Sequence, residues 1–138
     1  MLPAMERRAD ERGLSFLVIS SPKSGSQWVS AMCRAHPDVE CAESRLFGNH
    51  LDQGSFGVRL TLDAYVHLLR QHHRSPGGDA YYDALLHDLV DTIGRTSRRV
   101  LGVTHYGEKI TPFAGTGRAV VERCLAYDPD LPIVHLVR

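Results

Sequence analysis

The segment Ser21-Pro22-Lys23-Ser24-Gly25-Ser26-Gln27-Trp28 brings a cation, hydroxyl groups and a glycine together in one tight turn. An apolar run, Leu14–Ile19, precedes it, and a stretch of helical character from about Ser26 to Ala35 follows. The first N–H groups of a helix have no intrahelical acceptor and point at whatever sits on its N-terminus. The helix dipole favours negative charge there, by about 0.3–1 kcal/mol in exposed settings. Gly25 lets the backbone approach an anion closely. Ser24 and Ser26 add hydroxyl donors, and Lys23 adds a full positive charge. Holding a phosphate is the chemistry these residues could do. The turn is not a Walker A loop, in which lysine follows the second of two glycines. Here lysine precedes the turn's one glycine, which disfavours a standard ATPase or GTPase.

Pro22-Lys23-Ser24-Gly25-Ser26-Gln27-Trp28 resembles the 5′-phosphosulfate-binding loop of the sulfotransferases, commonly Pro-Lys/Arg-Ser/Thr-Gly-Ser/Thr-Thr-Trp/Leu. Those enzymes use 3′-phosphoadenosine 5′-phosphosulfate (PAPS) and share a P-loop-like α/β fold. Gln27 departs from the pattern where a hydroxyl is usual, although an amide also donates to phosphate. The resemblance places Trp28 against adenine; a lone tryptophan is equally suited to anchoring the first helix in a core. His36-Pro37-Asp38-Val39 is similar to the His-Pro-x-Val step of bacterial and Golgi-type members. In those relatives a glutamate shortly before an aromatic residue is the general base on the acceptor. Glu43, four residues before Phe47, fits that place, with Glu40 its nearest competitor. A carboxylate serves because an alcohol must lose its proton as it attacks sulfur.

Gly102–Pro112 partly resembles two different family segments. One is Gly-Glu/Asp-Lys-Thr-Pro, with Ile110 as an extra residue. The other is the Lys-Thr-His segment of cytosolic members, which makes His105 the alternative base. The roles of His105 and Lys109 stay open between them. Ile133-Val134-His135-Leu136-Val137-Arg138 resembles the strand that opens the 3′-phosphate motif, and Arg138 matches its arginine, whose planar fork suits phosphate.

The resemblance, from Phe16 to Arg138, implies sulfuryl transfer from PAPS to an acceptor hydroxyl or amine, leaving 3′-phosphoadenosine 5′-phosphate (PAP). Glu43 would take the acceptor's proton and Lys23 would steady charge on the oxygen between sulfur and phosphorus. Residues 24–28 and Arg138 would grip the nucleotide, and no metal is needed. The acceptor class, a small molecule or carbohydrate, is not legible further. Family members continue beyond the equivalent of Arg138. The expectation is therefore a polar tail over 1–13 and a partial sulfotransferase domain over 14–138, truncated at its C-terminus. Its alternative is an inactive, truncated nucleotide-binding or partner-binding module. A strand left at the sheet's edge would invite association.

The elements that must position these residues follow from pattern. Near-continuous apolar runs at Leu14–Ile19, Val100–Thr104 and Ile133–Val137 predict buried strands, and Val39–Ala42 is expected to be a short second strand. Helices are expected at Ser26–Ala35, at about Thr61–His73, from Asp79 onward and at Ala119–Tyr127. The helix from Asp79 carries its stripe on Tyr81, Tyr82, Leu85, Leu86, Leu89, Val90 and Ile93; the last turns Val120, Val121, Cys124 and Leu125 inward. Leu46–Leu60, rich in glycine, is expected to be a loop. Alternating strands and helices predict an α/β fold with a mainly parallel sheet, and the resemblance makes it a P-loop-like three-layer one.

Sixteen basic residues balance sixteen acidic ones among 138, which disfavours a nucleic-acid or membrane-surface partner. Met1–Gly13 lacks a signal-peptide apolar core, and no run is long enough to span a bilayer, so the expected compartment is the cytoplasm. Three cysteines without Cys-x-x-Cys spacing disfavour a disulfide framework or zinc site, and Cys33 and Cys124 are expected to be buried apolar residues. His67, His72 and His73 lack the i,i+4 spacing of helical metal pairs.

Overall fold

The computed structural model of the chain describes residues 12–21, 23–43, 47, 67, 79–112 and 117–137. Pro22, Arg138, nearly all of the 46–60 loop and of the 61–73 helix, and residues 1–11 of the polar tail lie outside the described residues.

In chain order the elements are β1 (Phe16–Ser20), α1 (Ser26–Ala35), β2 (Val39–Ala42), α2 (Asp79–Leu101), β3 (His105–Ile110), α3 (Gly117–Tyr127) and β4 (Ile133–Leu136). The strands form one sheet in the order β2-β3-β1-β4, and every pairing is parallel. This is the mixed α/β architecture expected from the alternating pattern. β1 lies inside the sheet and is buried on both faces from Leu17 to Ser20, as its continuous apolar run requires.

Strand alternation sorts the side chains onto two faces. Leu17 and Ile19 of β1 and Tyr106 and Ile110 of β3 join Leu86 and Val90 of α2 and Val120, Cys124 and Tyr127 of α3 in the main core. Phe16, Val18, Cys41, Gly107 and Lys109 stand on the other face, where α1 packs on β1 and β2. The described elements thus make helix, sheet and helix layers. α1 ends as expected: Pro37 forces the extended conformation seen at His36 (φ −81°, ψ 132°).

Two expectations are corrected. Val100–Thr104 is not a strand. Val100 and Leu101 form the last turn of α2, with Val100 72% exposed. Gly102 then takes a left-handed conformation (φ 69°), and the Val103 N–H donates to the Arg98 carbonyl at 3.1 Å. This is a Schellman stop, in which a glycine just past the helix satisfies an orphan carbonyl. The strand begins later, at His105. Leu125 does not face inward but is exposed; the buried stripe of α3 is Val120, Cys124 and Tyr127, at i, i+4 and i+7.

The segment before β1 is locked to α2 and α3. The Gly13 N–H lies 2.9 Å from both Asp91 Oδ1 and the Tyr127 hydroxyl, and that hydroxyl donates to Asp91 Oδ1. Arg98 donates to the carbonyls of Gly13 and Arg12, each at 2.7 Å. Gly13 and Gly94 meet backbone to backbone: a Cβ on Gly94 would stand 1.9 Å from the Gly13 carbonyl oxygen. Gly94→Ala is therefore expected to cost about 1–3 kcal/mol, the usual range for overpacking. The urea midpoint should fall while the slope of the transition stays unchanged.

Burial pushes the Cys124 thiol up to about 12, with the neighbouring Glu108 adding to it. A group held protonated in the fold contributes stability that is whole below its ordinary value near 9 and is lost as pH rises through about 12. Stability should decline over that window, and Cys124→Ala should flatten the decline in denaturation series taken across it.

Candidate functional site at the carboxyl edge of the sheet

β1 ends at Ser20, and the chain turns from it into α1. The Ser24 N–H donates to the Ser21 carbonyl at 3.2 Å, closing a tight turn. Lys23 (φ 62°) and Gly25 (φ 87°, ψ 16°) both take left-handed conformations, with Ser24 between them at negative φ. Left-handed backbone is uncommon for a residue with a side chain, so Lys23 is held there by the turn. Alternation of handedness along a short run curls successive N–H groups into a concavity suited to an anion.

Gly25 is the N-cap of α1, and no side chain caps the helix among the described residues. The first turn, Ser26-Gln27-Trp28-Val29, carries no acid. The Trp28 and Val29 N–H groups return to the Gly25 carbonyl at 3.0 and 3.2 Å. The Ser24 hydroxyl oxygen is enclosed and has no hydrogen-bond partner among the described residues. A buried hydroxyl left unpaired costs about 1–3 kcal/mol, which a ligand oxygen would recover. Lys23 and Gln27 are exposed, and Trp28 is 68% exposed, so the tryptophan is not the core anchor of α1.

The strands bring further groups to this edge. On the α1 face, Val18 of β1 is in register with Lys109 of β3. Lys109 is only 3% exposed, and its Nζ lies 3.1 Å from Glu43 Oε1, at the end of β2. One step further along the same face, the Ser20 and Thr111 hydroxyls bond to each other at 3.0 Å. Lys23, Glu43, Lys109, Ser20 and Thr111 therefore gather at the carboxyl ends of β1, β2 and β3. Ligands of open α/β sheets bind at that end, where strand order switches. β1 is such a point here, since its neighbours β3 and β4 both come later in the chain.

His105 is not brought to this edge. It opens β3 opposite Val39, and its N–H donates to the Asp38 carbonyl at 2.9 Å. At about 3.3 Å per residue, β3 separates it from the carboxyl edge by roughly 15 Å. The late start of β3 explains this: a segment expected to leave a strand is the beginning of one. An open cleft of about 490 Å³ lies at that amino edge, lined in part by Arg12, Arg98, His105 and Asp128. Its arginines are engaged in structure, Arg12 with Asp128 at 3.0 Å and Arg98 with the 12–13 carbonyls. Glu40, the competitor of Glu43, turns back to the Cys41 N–H at 3.0 Å.

Comparisons of the chain with protein-family models, with curated proteins and with solved structures return no match. Among the described residues no helix is long and apolar enough to cross a membrane.

The ion pair yields a stability test. Glu43→Gln leaves the Lys109 ammonium buried without its carboxylate, at an expected cost of about 1–3 kcal/mol, moderated by the exposure of Glu43. Lys109→Met alone should cost less, and adding Glu43→Gln to it should cost little more. A double-mutant cycle on urea midpoints would read this coupling directly.

Proposed function

We propose that the chain is the nucleotide-binding part of a PAPS-dependent sulfotransferase, built on a P-loop-like sheet. The observation that carries the proposal is the loop itself: a helix N-terminus with no side-chain cap and an enclosed Ser24 hydroxyl with no partner among the described residues, together with two left-handed residues, all within a motif that resembles the 5′-phosphosulfate loop. PAPS would supply the sulfuryl group. The Gly25–Gln27 N–H groups and the Ser24 hydroxyl would hold its 5′-phosphate, with Lys23 set to steady charge on the bridging oxygen. Preorganised donors of this kind usually make the largest contribution to catalysis. Trp28 has a free face for a purine, and Arg138 would hold the 3′-phosphate.

Glu43 is the general base in this proposal. Lys109 fixes one carboxylate oxygen, and 44% exposure of the side chain leaves the other accessible to an acceptor hydroxyl or amine. The acceptor is a small molecule or a carbohydrate, and the cytoplasm is the compartment proposed.

Calorimetric titration with PAP tests the phosphate loop. Saturable binding is expected, weakened roughly tenfold or more in Lys23→Ala and in Ser24→Ala, the scale of a lost charge-assisted hydrogen bond. Absence of binding by a chain shown folded by circular dichroism would overturn the proposal. Glu43→Gln should keep PAP affinity and abolish transfer from PAPS. Binding without transfer by the unaltered chain, across a panel of acceptors, would instead identify a nucleotide-binding module.

A further inference from the structure

Two of the three cysteines lie on the two elements of the α1–β2 contact. Cys41 of β2 is in register with Gly107 of β3, and Gly107 with Phe16 of β1, which places all three on the face covered by α1. The neighbouring Ala42 packs into the main core on the opposite face, as alternation requires. From α1, the Ser30 hydroxyl donates to the Cys41 carbonyl at 3.1 Å. Cys33 lies one turn further along the same side of the helix, and it is an electrostatic neighbour of the Cys41 thiol. Cys33 is partly exposed, not buried as its helical pattern suggests, Cys41 is buried, and both are free thiols. Cys124 lies in the core on the other side of the sheet.

We propose that Cys33 and Cys41 are a dithiol–disulfide pair, a redox modification site that staples α1 to β2. The proposal does not rest on the sulfotransferase function. The oxidant is a low-molecular-weight disulfide such as oxidised glutathione. The Cys33 thiolate attacks one glutathione sulfur, forming a mixed disulfide and releasing one glutathione thiolate. The Cys41 thiolate then attacks the Cys33 sulfur, forming the protein disulfide and releasing the second glutathione. Two protein thiols are oxidised and one glutathione disulfide is reduced to two thiols, which take up the two protons. Burial raises the Cys41 thiol to about 11, which leaves the more accessible Cys33 to begin, and the attack of Cys41 is then intramolecular. The staple would join the helix that follows the Lys23 loop to the strand that ends beside Glu43.

Peptide mapping tests this on the intact folded chain. Arg34 lies between the two cysteines, so trypsin releases them on separate peptides, 24–34 and 35–45, with Cys124 on a third. After incubation with oxidised glutathione in native buffer, free thiols are alkylated and the digest is analysed by mass spectrometry. The expected product is 24–34 linked to 35–45, shorter by two hydrogen atoms than the summed peptides, with Cys124 alkylated. Cys33→Ser and Cys41→Ser should each abolish the link, and Cys124→Ser should retain it. Persistence of Cys33 as the glutathione adduct beside an alkylated Cys41 would overturn the proposal. So would a link that forms only in urea.

Discussion

An ammonium group taken out of water has to be paired, and the Lys109–Glu43 bridge meets that demand at the carboxyl edge of the sheet. Lys109 occupies a strand position where an apolar residue would be ordinary, beside Val18 and under α1. Its partner comes from the end of a different strand, so β2 and β3 must keep their register for the pair to form. The bridge holds Glu43 at the same edge as the β1–α1 turn. A buried ion pair adds little net stability against an apolar pair of the same shape. What this one does is fix the place of a carboxylate.

The two ends of the sheet are used differently. At the amino edge, polar groups are consumed in structure: Asp91 and Tyr127 hold Gly13, Arg98 holds the carbonyls before β1, and Arg12 pairs with Asp128. At the carboxyl edge, polar groups remain available: the Ser24 hydroxyl lacks a partner among the described residues, and the N-terminus of α1 lacks a side-chain cap. Unmet hydrogen-bonding capacity at one end, beside a tightly built opposite end, is what a ligand site on a rigid scaffold requires.

Much of this was legible in residue order. α1 and β2 have the limits read from Ser26–Ala35 and Val39–Ala42, because Pro37 and the flanking polar residues punctuate them sharply. The loop was legible because its cation, hydroxyls and glycine are contiguous. Val100–Thr104 was misread because a β-branched apolar run is ambiguous between a strand and a helix end. Gly102 was the signal for the second, since it marks a left-handed stop. That error moved β3 and with it His105. Lys109 and Glu43, 66 positions apart in sequence, could not be paired before the order β2-β3-β1 was known. Neither could Cys33 and Cys41, whose proposed pairing depends on which face of β2 looks toward α1.

The most direct test of an anion site on the β1–α1 turn is a ¹⁵N-labelled amide spectrum of the chain, recorded with and without PAP. The Ser24, Gly25, Ser26 and Gln27 amides should shift on saturation, while Gly13, Thr104 and His105 at the amino edge stay in place. Shifts confined to the amino-edge cleft, or none at all in a well-dispersed spectrum, would contradict it.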